Sequence, residues 1–103
     1  IRRAVSPRTA RDVGEMMVLA VRAGTGTAAA MSGFRVGGKT GTAETGVRGR
    51  NVTWCIAFAG PEGERPHVAI AVVLQNQTST GGATAAPIAR AVMEAILRPP
   101  SNP

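Results

Sequence analysis

A chain of 103 residues and 10.5 kDa holds one small domain or part of a larger one, and buries only a modest core. At 44% apolar and 17% charged residues it is globular in composition rather than disordered. Three aromatic residues (Phe34, Trp54, Phe58), a single Cys55 and no long apolar run exclude stacked-ring RNA platforms, internal disulfides, cysteine zinc cages and membrane-spanning helices.

The net charge of +6 comes from eleven Arg and one Lys against six carboxylates. Arg2, Arg8, Arg22, Arg48, Arg65 and Arg98 are spread along the chain, which predicts a solvated basic surface and no nucleic-acid partner. Neither a metal site nor a cofactor is expected. Where Arg is the default cation, the lone Lys39 stands out, because a compact, rotatable ammonium does what a planar guanidinium does not.

In chain order, Ile1-Arg2-Arg3 is followed by no apolar run of the secretory-signal kind. Ser6-Pro7 reads as an N-cap and first helical residue. Ala10, Val13, Met17, Ala20 and Val21 then recur at helical spacing until Gly24, and residues 24–33 hold at most one further turn. Phe34–Ala43 reads as a strand, and residues 44–51 as a Gly- and Arg-rich turn. Over residues 52–59, Val52, Trp54, Ile56 and Phe58 alternate with Thr53, Cys55, Ala57 and Ala59. A polar turn leads to a third strand at 67–76, and a last helix over 83–98 is expected with Thr84 as its cap and Pro87 in its first turn. Trp54 is expected to pack against a helix, Met16, Met17 and Met93 to fill the core, Cys55 to be an inert core thiol, His67 to lie on the surface and Glu44 to order a loop.

The outcome is an α/β fold of the α+β type, with helices packed on an antiparallel sheet. It divides into a helical segment (1–33), a three-stranded meander (34–77), the closing helix (83–98) and a loose tail (99–103). The third strand is apolar on both faces (Val68, Ile70, Val72, Leu74 and Ala69, Ala71, Val73), as strands inside covered sheets are. More polypeptide is therefore expected over it, making this chain the C-terminal part of a larger domain.

Gly33-Phe34-Arg35-Val36-Gly37-Gly38-Lys39-Thr40 matches the phosphate-binding pattern G-x-x-x-x-G-K-[ST] letter by letter. That pattern requires a strand before it and a helix after it. Here a Gly/Ala-rich stretch precedes and the poor helix former Gly41-Thr42-Ala43-Glu44-Thr45-Gly46 follows. The same residues read as a strand bordering a cleft. Thr40 and Thr42 would share one face, Lys39 and Gly41 the other, and Lys39 would reach the threonines by curling around the strand edge. Gly41, having no side chain, would let a substrate backbone lie close. Spacing alone leaves this open against an ordinary surface strand.

Gly38-Lys39-Thr40-Gly41-Thr42-Ala43-Glu44 is preceded by Gly24-Thr25-Gly26-Thr27 and followed by Trp54-Cys55-Ile56-Ala57-Phe58-Ala59-Gly60. In that order these segments resemble the end of a penicillin-binding protein transpeptidase domain, most closely the class B enzymes. The resemblance implies peptidoglycan D,D-transpeptidation through a serine acyl-enzyme. Lys39 and Thr40 would bind the terminal carboxylate of a stem peptide or β-lactam, with Gly41 beside them. Thr42 would supply a backbone N–H to the oxyanion hole, and Lys39 and Thr42 would be the catalytic contributors. It also implies a parent anchored in the cell membrane, with its catalytic part on the extracytoplasmic side. No Ser-x-x-Lys or Ser-x-Asn element occurs here, so the nucleophile is expected on an N-terminal portion of the same enzyme and this chain alone is expected to be inactive. Serine β-lactamases and β-lactam sensors share the architecture and are the alternative. A P-loop fragment and a basic interaction module are the readings from other classes.

Overall fold

In the computed structural model, which describes residues 2–98, helix α1 spans Pro7–Ala23. Its start follows from Ser6, whose Oγ accepts the Thr9 N–H at 3.1 Å while Pro7 occupies the first turn. It ends at Gly24, whose N–H bonds to the Ala20 carbonyl at 2.9 Å. Val18 and Val21 are its buried residues. Met16 is 62% exposed rather than core, whereas Met93 is fully buried, so the expectation for the methionines holds for Met93 and fails for Met16. A single 3-10 turn, Thr27–Ala29, follows.

Three antiparallel strands come next: β1 (Phe34–Ala43), β2 (Asn51–Pro61) and β3 (Val68–Gln77), in the order β1-β2-β3. β1 and β2 pair without interruption from Phe34↔Pro61 to Ala43↔Val52. The β2–β3 ladder slips between Asn51 and Thr53. Asn76, beside that slip, has φ 56°, a left-handed conformation that Asn tolerates better than most side chains.

Helix α2 spans Gly81–Leu97, starting two residues before the expected 83. Thr80, not Thr84, is its cap: the Thr80 Oγ1 accepts the Ala83 N–H at 3.3 Å. Thr84 instead bonds the buried Thr53 hydroxyl at 2.8 Å, joining the first turn to β2. Pro87 consequently lies inside the helix and not in its first turn. The tail at 99–103 lies outside the described residues.

The core lies where α2 crosses the sheet. The small side of β2, Cys55, Ala57 and Ala59, meets Ala85, Ala86, Ala89 and Met93, all buried, with Val21, Ala29, Met31 and Val36 closing the ends. Small residues on both partners allow close approach of helix to sheet, and Met93 fills what remains. The large residues of β2 therefore face away from α2. Trp54 packs on β1 rather than on a helix: a methyl added to Gly41, its partner across the ladder, would fall inside its ring. Phe58 covers Gly37 in the same way. On β3, Val68, Ile70, Val72 and Leu74 are half-buried against the core, while Ala69, Ala71 and Val73 are exposed.

Candidate active-site wall

β1 is the border of the sheet on one side, and α1 packs against it. Glu15 of α1 pairs with Arg35, and Val21 lies beside Gly38. The second half of β1 is left beside a groove of about 650 Å³. Its floor is Lys39, Thr40, Gly41 and Thr42, with Gly24, Thr25 and Thr27 forming one bank and Thr80, Gly81, Gly82 and Ala83 the other. The four residues singled out from the sequence are thus brought together on one groove.

Alternation places Thr40 and Thr42 on the same face of β1, and each hydroxyl is anchored to a different bank. Thr40 is 6% exposed, and its Oγ1 donates to the Thr25 Oγ1 at 2.9 Å. Thr42 is exposed, and its Oγ1 accepts the Gly81 N–H at 3.2 Å. Lys39 starts from the opposite face, yet its Nζ donates to the Thr40 carbonyl and lines the same groove. The ammonium also lies 5.9 Å from the centroid of the Trp54 ring. The floor therefore offers the Lys39 ammonium and the Thr42 hydroxyl proton to a ligand, while the Thr40 proton is already given to Thr25. A carboxylate, which takes hydrogen bonds only as an acceptor, suits such a donor-rich surface.

The missing side chain of Gly41 also makes room within the protein. The space a Cβ would occupy is taken by the Trp54 ring, while the Gly41 main chain lines the groove. The opposite bank depends on two further glycines. A Cβ on Gly81 would sit 2.6 Å from the carbonyl oxygens of Gly41 and Trp54, and one on Gly82 would sit 2.6 Å from that of Thr25. Only hydrogens let the first turn of α2 press onto β1 and the Thr25 loop. From the sequence, Thr25 figures only in a segment that carries the resemblance, without a site role of its own, and the Thr80–Gly82 turn has none. The signal available for the turn was a capping threonine directly followed by two glycines.

The remaining candidates fall outside the groove. His67 is half-exposed and lies 3.4 Å from Glu64, and Glu44 is exposed beyond the end of β1. Burial pushes the Cys55 thiol above its ordinary pKa, in keeping with an inert core position. Arg11, Arg35 and Arg65, distant in sequence, gather with Glu15 and Phe58 at a second groove of about 600 Å³ near the other end of β1. Residues 39–42 continue as strand rather than opening a helix, which overturns the phosphate-loop reading of Gly33–Thr40.

Comparison with known proteins accords with this geometry. The model of the family described as "Penicillin binding protein transpeptidase domain" matches residues 2–94. The chain is 44% identical over 104 residues to Peptidoglycan D,D-transpeptidase PbpA of Mycobacterium tuberculosis, covering 94% of this chain and 21% of that protein. It is 39% identical over 105 residues to the Probable peptidoglycan D,D-transpeptidase PenA of Neisseria flavescens, covering 93% of this chain and 26% of that protein. Among solved structures, the transpeptidase domain of the FtsI4 D,D-transpeptidase from Legionella pneumophila superposes with a TM-score of 0.71 at 27% identity, over 89% of this chain and 37% of that one. The D,D-transpeptidase domain of a peptidoglycan glycosyltransferase from Eggerthella lenta gives 0.68 at 34% identity, over 94% and 23%. The chain thus spans about a fifth to a quarter of the length of these curated relatives. With a family match running from before α1 into α2, this chain belongs to the penicillin-binding protein transpeptidase domain family.

Proposed function

We propose that this chain forms one wall of the active site of a peptidoglycan D,D-transpeptidase, whose nucleophilic serine is carried by a different part of the parent protein. The observation that carries the reading is the gathering of Lys39, Thr40, Gly41 and Thr42 along one groove beside the border strand, in a chain of this family. The Lys39 ammonium receives the terminal carboxylate of a D-Ala-D-Ala stem peptide, joined by the Thr40 hydroxyl when its proton turns from the Thr25 Oγ1 to the ligand. This places the last peptide bond alongside β1. The serine hydroxyl attacks that carbonyl, and the Thr42 N–H stabilises the oxyanion that develops, a kind of contact worth about 3 to 4 kcal/mol of barrier. Terminal D-Ala leaves as the amine and an acyl-serine remains. The amine of a second stem peptide then attacks the acyl carbon, forms the cross-link and releases the serine. The bond from Gly81 to the Thr42 hydroxyl supports this role by holding the strand end against α2.

The remainder of the parent supplies the Ser-x-x-Lys and Ser-x-Asn elements. Likeness to the family favours a parent anchored in the membrane with its catalytic part outside it. The described residues include no helix long and apolar enough to cross a bilayer. β-Lactams acylate the same serine.

The test uses the full-length parent and a fluorescent penicillin. Covalent labelling that persists is expected, and fast release of hydrolysed penicillin would instead mark a β-lactamase. Lys39→Ala should slow acylation about 10- to 150-fold, the range for losing a hydrogen bond to a charged group. Thermal unfolding should move little, since Lys39 is exposed. Equal acylation rates in variant and parent would overturn the assignment.

A further inference from the structure

We propose that Trp54 is a positioning residue for Lys39, holding its ammonium at the groove through the face of the indole ring; this rests on the reading of Lys39 given above. Trp54 stands directly across the ladder from Gly41, and Lys39 lies two residues before Gly41 on the same strand face. Because Gly41 has no side chain, the ring lies across β1 at that position. It thereby comes to 5.9 Å from the Lys39 Nζ, within the distance at which a cation is drawn to a ring face. The Thr40 carbonyl is the ammonium's hydrogen-bond partner.

A near repeat of the device on the same strand shows what is particular here. Arg35, Gly37 and Phe58 reproduce the arrangement four residues earlier, with the guanidinium 6.0 Å from the Phe58 ring. Arg35, however, is paired with Glu15, and its charge is already answered within the protein. Among the described residues, no carboxylate lies within ion-pairing distance of Lys39. A carbonyl and a ring face restrain a flexible four-carbon stem yet leave a full positive charge for a ligand. A carboxylate neighbour would compete with the ligand's own. Gly41 is thus needed so that the ring of the next strand can reach the lysine.

The test weakens the ring face without changing its shape. In the full-length parent, Trp54 is replaced by mono-, di- and trifluorinated tryptophan, which draw electron density from the ring, and acylation by a fluorescent penicillin is timed. The rate should fall stepwise with each fluorine, by about 2- to 10-fold over the series. In a Lys39→Ala background the same series should be flat, since no cation is left to respond. Trp54→Leu should slow acylation about 3- to 30-fold, with Trp54→Phe recovering most of the loss. A flat series beside an intact Lys39, or equal slopes in both backgrounds, would show that Trp54 acts by packing alone and overturn this inference. If Lys39→Ala itself acylates at the parental rate, the reading of Lys39 falls and this inference falls with it. A slow Lys39→Ala with a flat series overturns this inference alone.

Discussion

At position 41 the difference between a hydrogen and a methyl decides whether Trp54 can lie across β1. Gly41→Ala should therefore destabilise the protein by about 1–3 kcal/mol, the usual cost of overpacking, read by urea unfolding. Trp54→Ala in the same chain should relieve part of that loss, because it empties the space the methyl needs. If the two losses simply add, the ring is not the obstacle. Cys55 allows a prediction in pH. Its buried thiol has a raised pKa, so at alkaline pH the unfolded chain gives up this proton before the folded one does. Its stabilising contribution is complete below the thiol's ordinary value near 9.0 and is lost as pH rises toward the folded value. Urea midpoints should fall above that pH, and Cys55→Ala should flatten the fall. At this scale a lone Lys among Arg and period-two alternation draw attention to Lys39, Thr40 and Thr42, but only the resemblance of the ordered segments around them gives these residues a role. Thr25 was not legible, because its bond to Thr40 spans 15 residues and exists only once α1 has turned back along β1.

Among the elements, α1 and β1 fall where local signals put them, because Ser6-Pro7 and Gly24 punctuate the helix and the change of period at Phe34 marks the strand. α2 was misread at its start. Thr80 and Thr84 are both capping residues by type, and the two glycines between them look like loop until packing recruits them. Starting at Gly81 puts Pro87 well inside the helix, where it has no N–H to give the Ala83 carbonyl. Pro87 is also exposed, so no core contact depends on its ring. Pro87→Ala is expected to raise stability by about 1–3 kcal/mol, measured as a higher urea midpoint with an unchanged slope. An unchanged midpoint would mean that the helix gains nothing from an N–H at position 87. The side of β2 that meets the helix was not readable either. Alternation separates two faces but does not say which one is covered. Here close approach of α2 favoured the face of Ala, Cys and Thr over the one bearing Trp54 and Phe58.

The whole molecule carries more exposed apolar surface than its own core can account for. Ile56 and Val73 on the sheet, Met16 and Leu19 on α1, and Val92 and Ile96 on α2 are each more than 40% exposed. β3, the other border strand of the sheet, adds Ala69 and Ala71 to that surface. Surfaces of this kind are covered in a working protein or else associate. Produced alone, the 103-residue chain should bind a hydrophobic dye such as ANS and self-associate, while the full-length parent should do neither. A monodisperse, dye-silent chain would show that these faces are tolerated in water. The two-sided apolar pattern of β3 foretold this need for cover.

Composition, periodicity and turn chemistry were sufficient for the order of elements and the antiparallel meander, because each depends on neighbours within a few residues; the three side chains facing the groove needed the family resemblance as well, since their spacing equally fits an ordinary surface strand. Tertiary structure alone decided which sheet face receives α2, why positions 41, 81 and 82 suit glycine, and that Thr25 meets Thr40 and Trp54 meets Lys39. Those depend on the closest approach of backbones far apart in sequence, a distance set by packing and not written in any local pattern.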